Sequence, residues 1–207
     1  MADPIPAAKG AEAELLPSCF LGRDVLIKVR RPKRYRAAEL DEELRSSRMK
    51  NEARLMREAR KAGVRTPVVY DIDLKEFSIT MEKVRGERVK ELLDRDPDAA
   101  AEICGAIGRA VADLHNSGIS HGDLTTSNMI MTNEGAICMI DLSMGKTKAE
   151  LEDLGVDMHL LERAFNSAHP DLADGFRECM RSYIERKKEP EKLLRKLEEI
   201  KNRGRYT

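Results

Sequence analysis

His121-Gly122-Asp123-Leu124-Thr125-Thr126-Ser127-Asn128, followed thirteen residues later by Asp141, is the stretch on which the reading of the fold turns. Asp141 closes the apolar run Ile137-Cys138-Met139-Ile140, and Met129-Ile130-Met131 follows Asn128 directly. Three polar groups therefore stand between short apolar strands in a fixed order: carboxylate, amide, carboxylate. Phosphoryl transfer from a nucleotide needs that set. One carboxylate orients an attacking hydroxyl and takes its proton, which suits Asp123. An amide oxygen helps to hold a metal ion, which suits Asn128, and a second carboxylate bridges metal and phosphates, which suits Asp141. An Asx turn at Asp123 or a strand-end cap at Asp141 would explain one residue each, but not the ordered set.

The spacing matches the protein-kinase catalytic loop H-R-D-x-x-x-x-N with a later metal-binding Asp, here written H-G-D-x-x-x-x-N and D-L-S. That template demands a lysine on an upstream strand and a glutamate on the next helix. Lys28 sits in Val25-Leu26-Ile27-Lys28-Val29, close to the Val-Ala-Ile-Lys pattern, and Glu52 lies inside the following helical stretch. Glu42, Glu43 and Glu58 compete with Glu52 for the role. The glycine-rich phosphate loop departs from the template: Gly10, Ala11, Glu12 and Ala13 form the candidate, with a single glycine. Backbone N–H groups there could still cradle phosphate.

Around these motifs the chain reads as an α+β, two-lobed, protein-kinase-like domain over residues 1–207. Its small β-rich N-lobe (about 1–82) carries one long helix, and a reduced helical C-lobe follows (about 87–207). Strands are expected within 10–30, at 67–70 and at 77–81, where Val, Ile and aromatic residues cluster. A helix is expected over 37–62, which holds no Gly or Pro. Leu40, Leu44, Met49, Leu55 and Met56 form its partial stripe. The polar Glu82-Lys83-Val84-Arg85-Gly86 reads as the link between lobes, and Met81, Glu82 and Val84 are the candidates to meet a nucleotide base there. Helices are expected at 89–93, 97–117, 149–165, 170–187 and 190–202. The Met129, Met131, Met139 and Met144 set reads as core beside the nucleotide. His115, His159 and His169 read as packing or surface residues. His121 and Asp157 read as supports of the catalytic loop.

Composition narrows the function classes. The 207 residues are 41% hydrophobic and 36% charged, with no Trp, too apolar for a disordered chain. No apolar run approaches the length of a membrane span. The N-terminal MADPIPAAKGAEAELL lacks the basic start and apolar stretch of a secretory signal. Cys19, Cys104, Cys138 and Cys179 are widely separated and form no C-x-x-C pair. Free, buried or partly buried thiols in a reducing cytoplasm are therefore expected, not a zinc site or a disulfide framework. The zero net charge hides a segregation: residues 23–65 hold 15 Lys and Arg against 7 Asp and Glu, and residues 185–205 hold 9 against 5. Such segments suit phosphate or nucleic acid. The tail Lys201-Asn202-Arg203-Gly204-Arg205-Tyr206-Thr207 lacks apolar anchors and is expected to be mobile.

With GAEA at 10–13, IKVRRPKRYR at 27–36, LDEELRSSRMKNEARLMREARKAGVRTPVVYDID at 40–73, HGDLTTSN at 121–128, VDMHLLERAF at 156–165 and the Arg203-Gly204-Arg205 tail, the whole chain resembles the small atypical kinase family of the KEOPS complex, close to the RIO kinases. HGD alone would not distinguish it from the aminoglycoside phosphotransferases. The resemblance implies an ATP-dependent serine/threonine protein kinase or ATPase using ATP and Mg2+. It implies support of threonylcarbamoyl-adenosine formation on tRNA, with the tRNA threonylcarbamoyl transferase subunit and a small regulatory subunit as partners. The basic N-lobe and tail are then expected to contact tRNA. Position by position, Lys28, Glu52, Asp123, Asn128 and Asp141 match the kinase core. Two departures from the kinase pattern matter: Leu142-Ser143 rather than Phe-Gly follows Asp141, and Thr125 stands where conventional kinases have a lysine. Only about Ser143–Lys148 separates Asp141 from the next helix, too short for an ordinary activation segment, which weakens protein-substrate docking and favours ATP hydrolysis. The alternatives are a non-catalytic tRNA-binding module with an ATP switch, and a small-molecule phosphotransferase.

Overall fold

The computed structural model describes residues 8–9, 13–33 and 35–203. Among these residues ten strands and six α-helices run in chain order: β1 (Ala8–Lys9), β2 (Glu14–Phe20), β3 (Arg23–Val29), α1 (Ala38–Lys61), β4 (Val69–Asp73), β5 (Ser78–Glu82), β6 (Gly86–Arg88), α2 (Val89–Arg95), α3 (Ala100–Asn116), β7 (Ile119–Ser120), β8 (Met129–Thr132), β9 (Ile137–Met139), β10 (Lys146–Thr147), α4 (Leu151–Ala168), α5 (Ala173–Arg186) and α6 (Pro190–Arg203). Five strands form one antiparallel sheet in the order β1-β2-β3-β5-β4. β6, β8 and β9 form a second sheet and β7 with β10 a third pair. Residues 83–85 carry the chain from the first sheet to the second.

α1 forms because 24 residues of Ala, Leu, Glu, Arg and Met run without Gly or Pro. Its buried face holds Met49, Glu52, Ala53, Leu55, Met56 and Ala59, at the three- and four-residue steps of a helical stripe. Leu40 and Leu44 do not belong to that face. Leu40 is half exposed to solvent, and the first turns of α1 bury only Asp41. The helix closes with Gly63 N–H donating to Arg60 O and Val64 N–H to Ala59 O, the paired bonds that satisfy its last carbonyls.

In the helical lobe, α3 buries Ile103, Ile107, Val111 and Leu114, the stripe read from sequence. It lies so close to α5 that a Cβ at Gly108 would come within 2.1 Å of Cys179 O. α6 covers α4 with Leu193, Leu197 and Ile200. It runs to Arg203, one residue past the expected 202. Lys201–Arg203 are helical, with Lys201 Nζ 2.7 Å from Glu162 and Arg203 paired to Glu152. The expectation of a mobile tail beginning at residue 201 is thereby corrected, since two acids on α4 anchor these cations. Residues 204–207 lie outside the described residues. Cys104, Cys138 and Cys179 are buried, whereas Cys19 on the β2 edge is exposed. Met129 and Met139 are core, but Met144 is half exposed because it sits on a turn after Asp141. Among the described residues no helix is long and apolar enough to cross a membrane.

Candidate active site

Lys28 projects from β3 and Glu52 from the middle of α1, and Lys28 Nζ lies 2.6 Å from Glu52 Oε1. Of the four candidate acids, Glu52 alone falls on the buried face of α1 and pairs with Lys28. Lys28 Nζ also lies 3.0 Å from Asp141 Oδ1. One ammonium thus joins the strand, the helix and the segment after β9. Asp141 lies two residues beyond β9, not at its end, in the left-handed region (φ +59°). A non-glycine residue held there stores strain that the surroundings must offset. Ser143 Oγ donates to Asp141 Oδ1 at 2.9 Å. Burial acts to raise the Asp141 pKa, but Lys28, through charge and hydrogen bond, and Ser143 outweigh it, so the carboxyl stays below its ordinary 3.8.

The catalytic loop is held from beneath. Asp157 on α4, 1% exposed, accepts His121 N–H at 2.5 Å and Gly122 N–H at 2.8 Å. His115 Nε2 lies 3.3 Å from the same carboxylate, and its Nδ1 lies 2.8 Å from Tyr183 Oη. Burial pushes the Tyr183 hydroxyl well above its ordinary pKa of 10.0, so it stays protonated and can donate to His115. His121 Nδ1 accepts Asp123 N–H at 3.3 Å, which leaves Nε2–H to donate to Ile140 O at 3.0 Å. Burial lowers the His121 pKa below 6.5 against the opposing Asp157 charge. The ring bridges the loop and the strand through both of its nitrogens.

Asn128 Nδ2 donates to both the carbonyl and Oδ2 of Asp123, each at 2.9 Å. Its Oδ1 is the atom left for a cation. Ile140 N–H donates to Asn128 O at 3.0 Å, placing Asn128 beside the strand that delivers Asp141. The glycine of His-Gly-Asp has a structural cause. At φ +81°, a Cβ on Gly122 would lie 2.3 Å from Met144 O and 2.4 Å from Met144 C. The short segment after Asp141 folds directly over the catalytic loop, and β10 pairs with β7.

The other expected residues fall into place unevenly. Met81 is buried at the end of β5, and Val84 is half buried in the connection after it. The Glu82 side chain is taken by Arg65, whose Nη1 lies 2.9 Å from Oε2, and by Val68 N–H at 3.1 Å. This bond pattern, with the Arg65 charge, keeps Glu82 below its ordinary pKa. Gly10, Ala11 and Glu12 lie outside the described residues. Ala13 is half buried just before β2. Sequence reasoning passed over Arg30, whose Nη2 lies 2.8 Å from Glu52 Oε2. It also missed His169, which links Thr126 of the loop (3.2 Å) to Asp94 (3.0 Å). The one signal for Arg30 was its two-residue step from Lys28, which puts both on one face of a strand.

A five-stranded antiparallel sheet with one internal helix, a connecting segment, and a helical lobe bearing Asp123, Asn128 and Asp141 define a kinase-like protein. The family model described as RIO domain matches residues 23–173. The chain is 43% identical over 186 residues to the KEOPS complex subunit Bud32 of Pyrococcus abyssi, covering 88% of this chain and 84% of that protein. It is 39% identical over 202 residues to a probable bifunctional tRNA threonylcarbamoyladenosine biosynthesis protein of Methanobrevibacter smithii, covering 97% of this chain. It spans 36% of that longer relative. The Rio2 kinase of Chaetomium thermophilum, solved as an ADP/Mg2+-phosphoaspartate complex, shares the fold with a TM-score of 0.66 at 14% identity, over 98% of this chain and 71% of that one. The chain belongs to the RIO domain family of kinases.

Proposed function

We propose that the chain is an ATP-dependent phosphotransferase whose working reaction is ATP hydrolysis or serine/threonine phosphorylation. We further propose that it acts as a KEOPS subunit supporting threonylcarbamoyladenosine formation on tRNA. The observation that carries the catalytic reading is the convergence of Lys28 on Glu52 and Asp141, beside the bonded pair Asp123–Asn128. Lys28, held by Glu52, orients the nucleotide phosphates. Asp123, with one oxygen occupied by Asn128, keeps the other for the attacking hydroxyl or water and accepts its proton. Met81, Glu82 and Val84 bound the base at the connection between lobes. Because Arg65 takes the Glu82 carboxylate, the backbone there is what offers hydrogen bonds. From sequence, Gly10 to Ala13 are the candidates to cradle the phosphates.

The donor set suits magnesium. Asn128 Oδ1 and an Asp141 oxygen are hard ligands, and two protein ligands plus phosphates and water is the usual arrangement for that ion in nucleotide sites. When bound, the ion neutralises phosphate charge. Hydrolysis is favoured over protein phosphorylation by the segment after Asp141, which is folded onto Gly122 and pairs as β10 with β7. No extended platform for a peptide acceptor remains there. The cationic stretch at 23–65 and α6 support tRNA contact, and a cytoplasmic site of action accompanies the assignment. The test is phosphate release from ATP with magnesium, alone and with the partner transferase. Asp141→Ala should lower it by orders of magnitude while the fold survives, and near-parent turnover in that variant would refute the assignment.

A further inference from the structure

Glu52 lies in the centre of the apolar face of α1, between Met49, Ala53, Leu55 and Met56, and is 1% exposed. A carboxylate in such a place is costly unless both oxygens are satisfied. Lys28 serves Oε1 at 2.6 Å, and Oε2 is served by Arg30 Nη2 at 2.8 Å. Arg30 is itself 3% exposed. It continues the line of β3, with its N–H donating to Phe77 O at 3.0 Å. Arg45 of α1 reaches back to the Arg30 carbonyl at 3.4 Å, lies 3.8 Å over the Phe77 ring, and pairs with Asp41 at 2.7 Å. On the adjacent α1 position, Asn51 Nδ2 donates to Ser143 O at 3.1 Å and Gly145 O at 2.9 Å. Neighbouring residues of one helix therefore grip β3 on one side and the backbone after Asp141 on the other.

In protein kinases the Lys–Glu ion pair and the metal-binding Asp must both be in place, and phosphorylation of a long segment controls this. Here the segment is short and its grip on α1 is uncharged. We propose that Arg30 is a positioning residue for phosphoryl transfer, holding the second oxygen of Glu52 so that α1 and Lys28 stand in place without a phosphorylated residue after Asp141. Arg30 touches neither nucleotide nor acceptor; it acts through Glu52. The proposal rests on the reading of the cleft given above.

The two can be separated in one set of measurements. Phosphate release from ATP–magnesium is followed for the parent, Asp141→Ala, Glu52→Gln, Arg30→Met, Arg30→Lys and the Glu52→Gln/Arg30→Met double variant, with a thermal melt of each. Asp141→Ala tests the cleft by itself. Arg30→Met should lower kcat about 10- to 100-fold with KM for ATP changed less than about threefold, since an orientation made in the transition state is what is lost. In the Glu52→Gln background the same change should alter kcat less than about twofold, because residues acting as one unit are not additive. Arg30→Lys, which keeps a cation on Oε2, should stay within about tenfold of the parent, the planar fork being only partly replaced. Parent-like kcat in Arg30→Met, or equal losses in both backgrounds, overturns the proposal. Should Arg30→Met fail to fold, a folded Arg30→Lys as slow as Glu52→Gln overturns it equally.

Discussion

Replacing Asp157 with alanine should cost the fold and the catalytic loop together, and the size can be worked from its contacts. The carboxylate accepts two backbone N–H groups, from His121 at 2.5 Å and Gly122 at 2.8 Å, and faces His115 at 3.3 Å. His121 and His115 are buried, so water cannot replace the lost acceptor without a cavity polar enough to admit it. Each stranded buried donor costs about 1–3 kcal/mol. Gly122 is half buried and contributes the lower part of that range. The sum is about 2–5 kcal/mol, which for a chain of this size lowers Tm by roughly 5–20 °C. Asp157→Asn keeps the shape but turns an amide donor toward at least one of these N–H groups, so it should recover less than half of the loss. Val156→Ala, on the exposed side of the same helix, should change stability by no more than about 0.5 kcal/mol. Urea melts of the three variants give these values, and phosphate release from ATP gives the second readout. Asp123 follows the two amides that Asp157 holds, so folded Asp157→Asn should also lose turnover. A loss below about 0.5 kcal/mol for Asp157→Ala would refute the claim that this carboxylate carries the loop.

Two further outcomes follow from charge and tertiary placement. Burial holds His121 below its ordinary pKa of 6.5, and His169 likewise, so the unfolded chain binds more protons than the folded one below that pH. Stability should therefore fall as pH drops through about 6.5 toward the depressed folded values. His121→Gln should flatten that slope in urea melts taken between pH 7 and 5, and an unchanged slope would remove His121 as a source. At the C-terminus, the pairs Lys201–Glu162 and Arg203–Glu152 lie near the surface, so deleting 201–207 should cost at most about 1 kcal/mol per pair. If this end contacts tRNA, the deletion should also lower tRNA affinity, with a salt slope reduced by about 0.7–0.9 per lost phosphate contact. Unchanged affinity with lost ATP turnover would instead make the tail a lid on the cleft.

The candidate site of this chain was legible in one dimension because its spacing is local. Asp123 and Asn128 are five residues apart, and Asp141 follows across one strand pair. Lys28 stood out by its apolar strand, and the helix of Glu52 by its uninterrupted helix formers. The choice among four glutamates had to wait for the fold, since α1 and β3 meet only when the sheet forms. Asp157 and His121 read from sequence as supports of the loop, but the long-range partners of the supports were not visible. Asp157 reaches its partners 36 and 35 residues away, His115 meets Tyr183 68 residues away, and Asn51 meets Gly145 94 residues away. No periodicity encodes such pairs; each forms only because hydrophobic burial brings α3, α4, α5 and the catalytic loop into one core. The tail shows the same division. Residues 201 and 202 fall both in the helix expected over 190–202 and in the tail expected to be mobile, and the fold resolves this as helix to Arg203, with Lys201 and Arg203 meeting Glu162 and Glu152 of α4. Sequence alone determined which groups are candidates for chemistry and in what order they lie along the chain. Tertiary packing decided which of them meet, which carboxylates are buried with two partners, and why a glycine must stand beside Asp123, since the backbone of Met144 occupies the space a side chain would need.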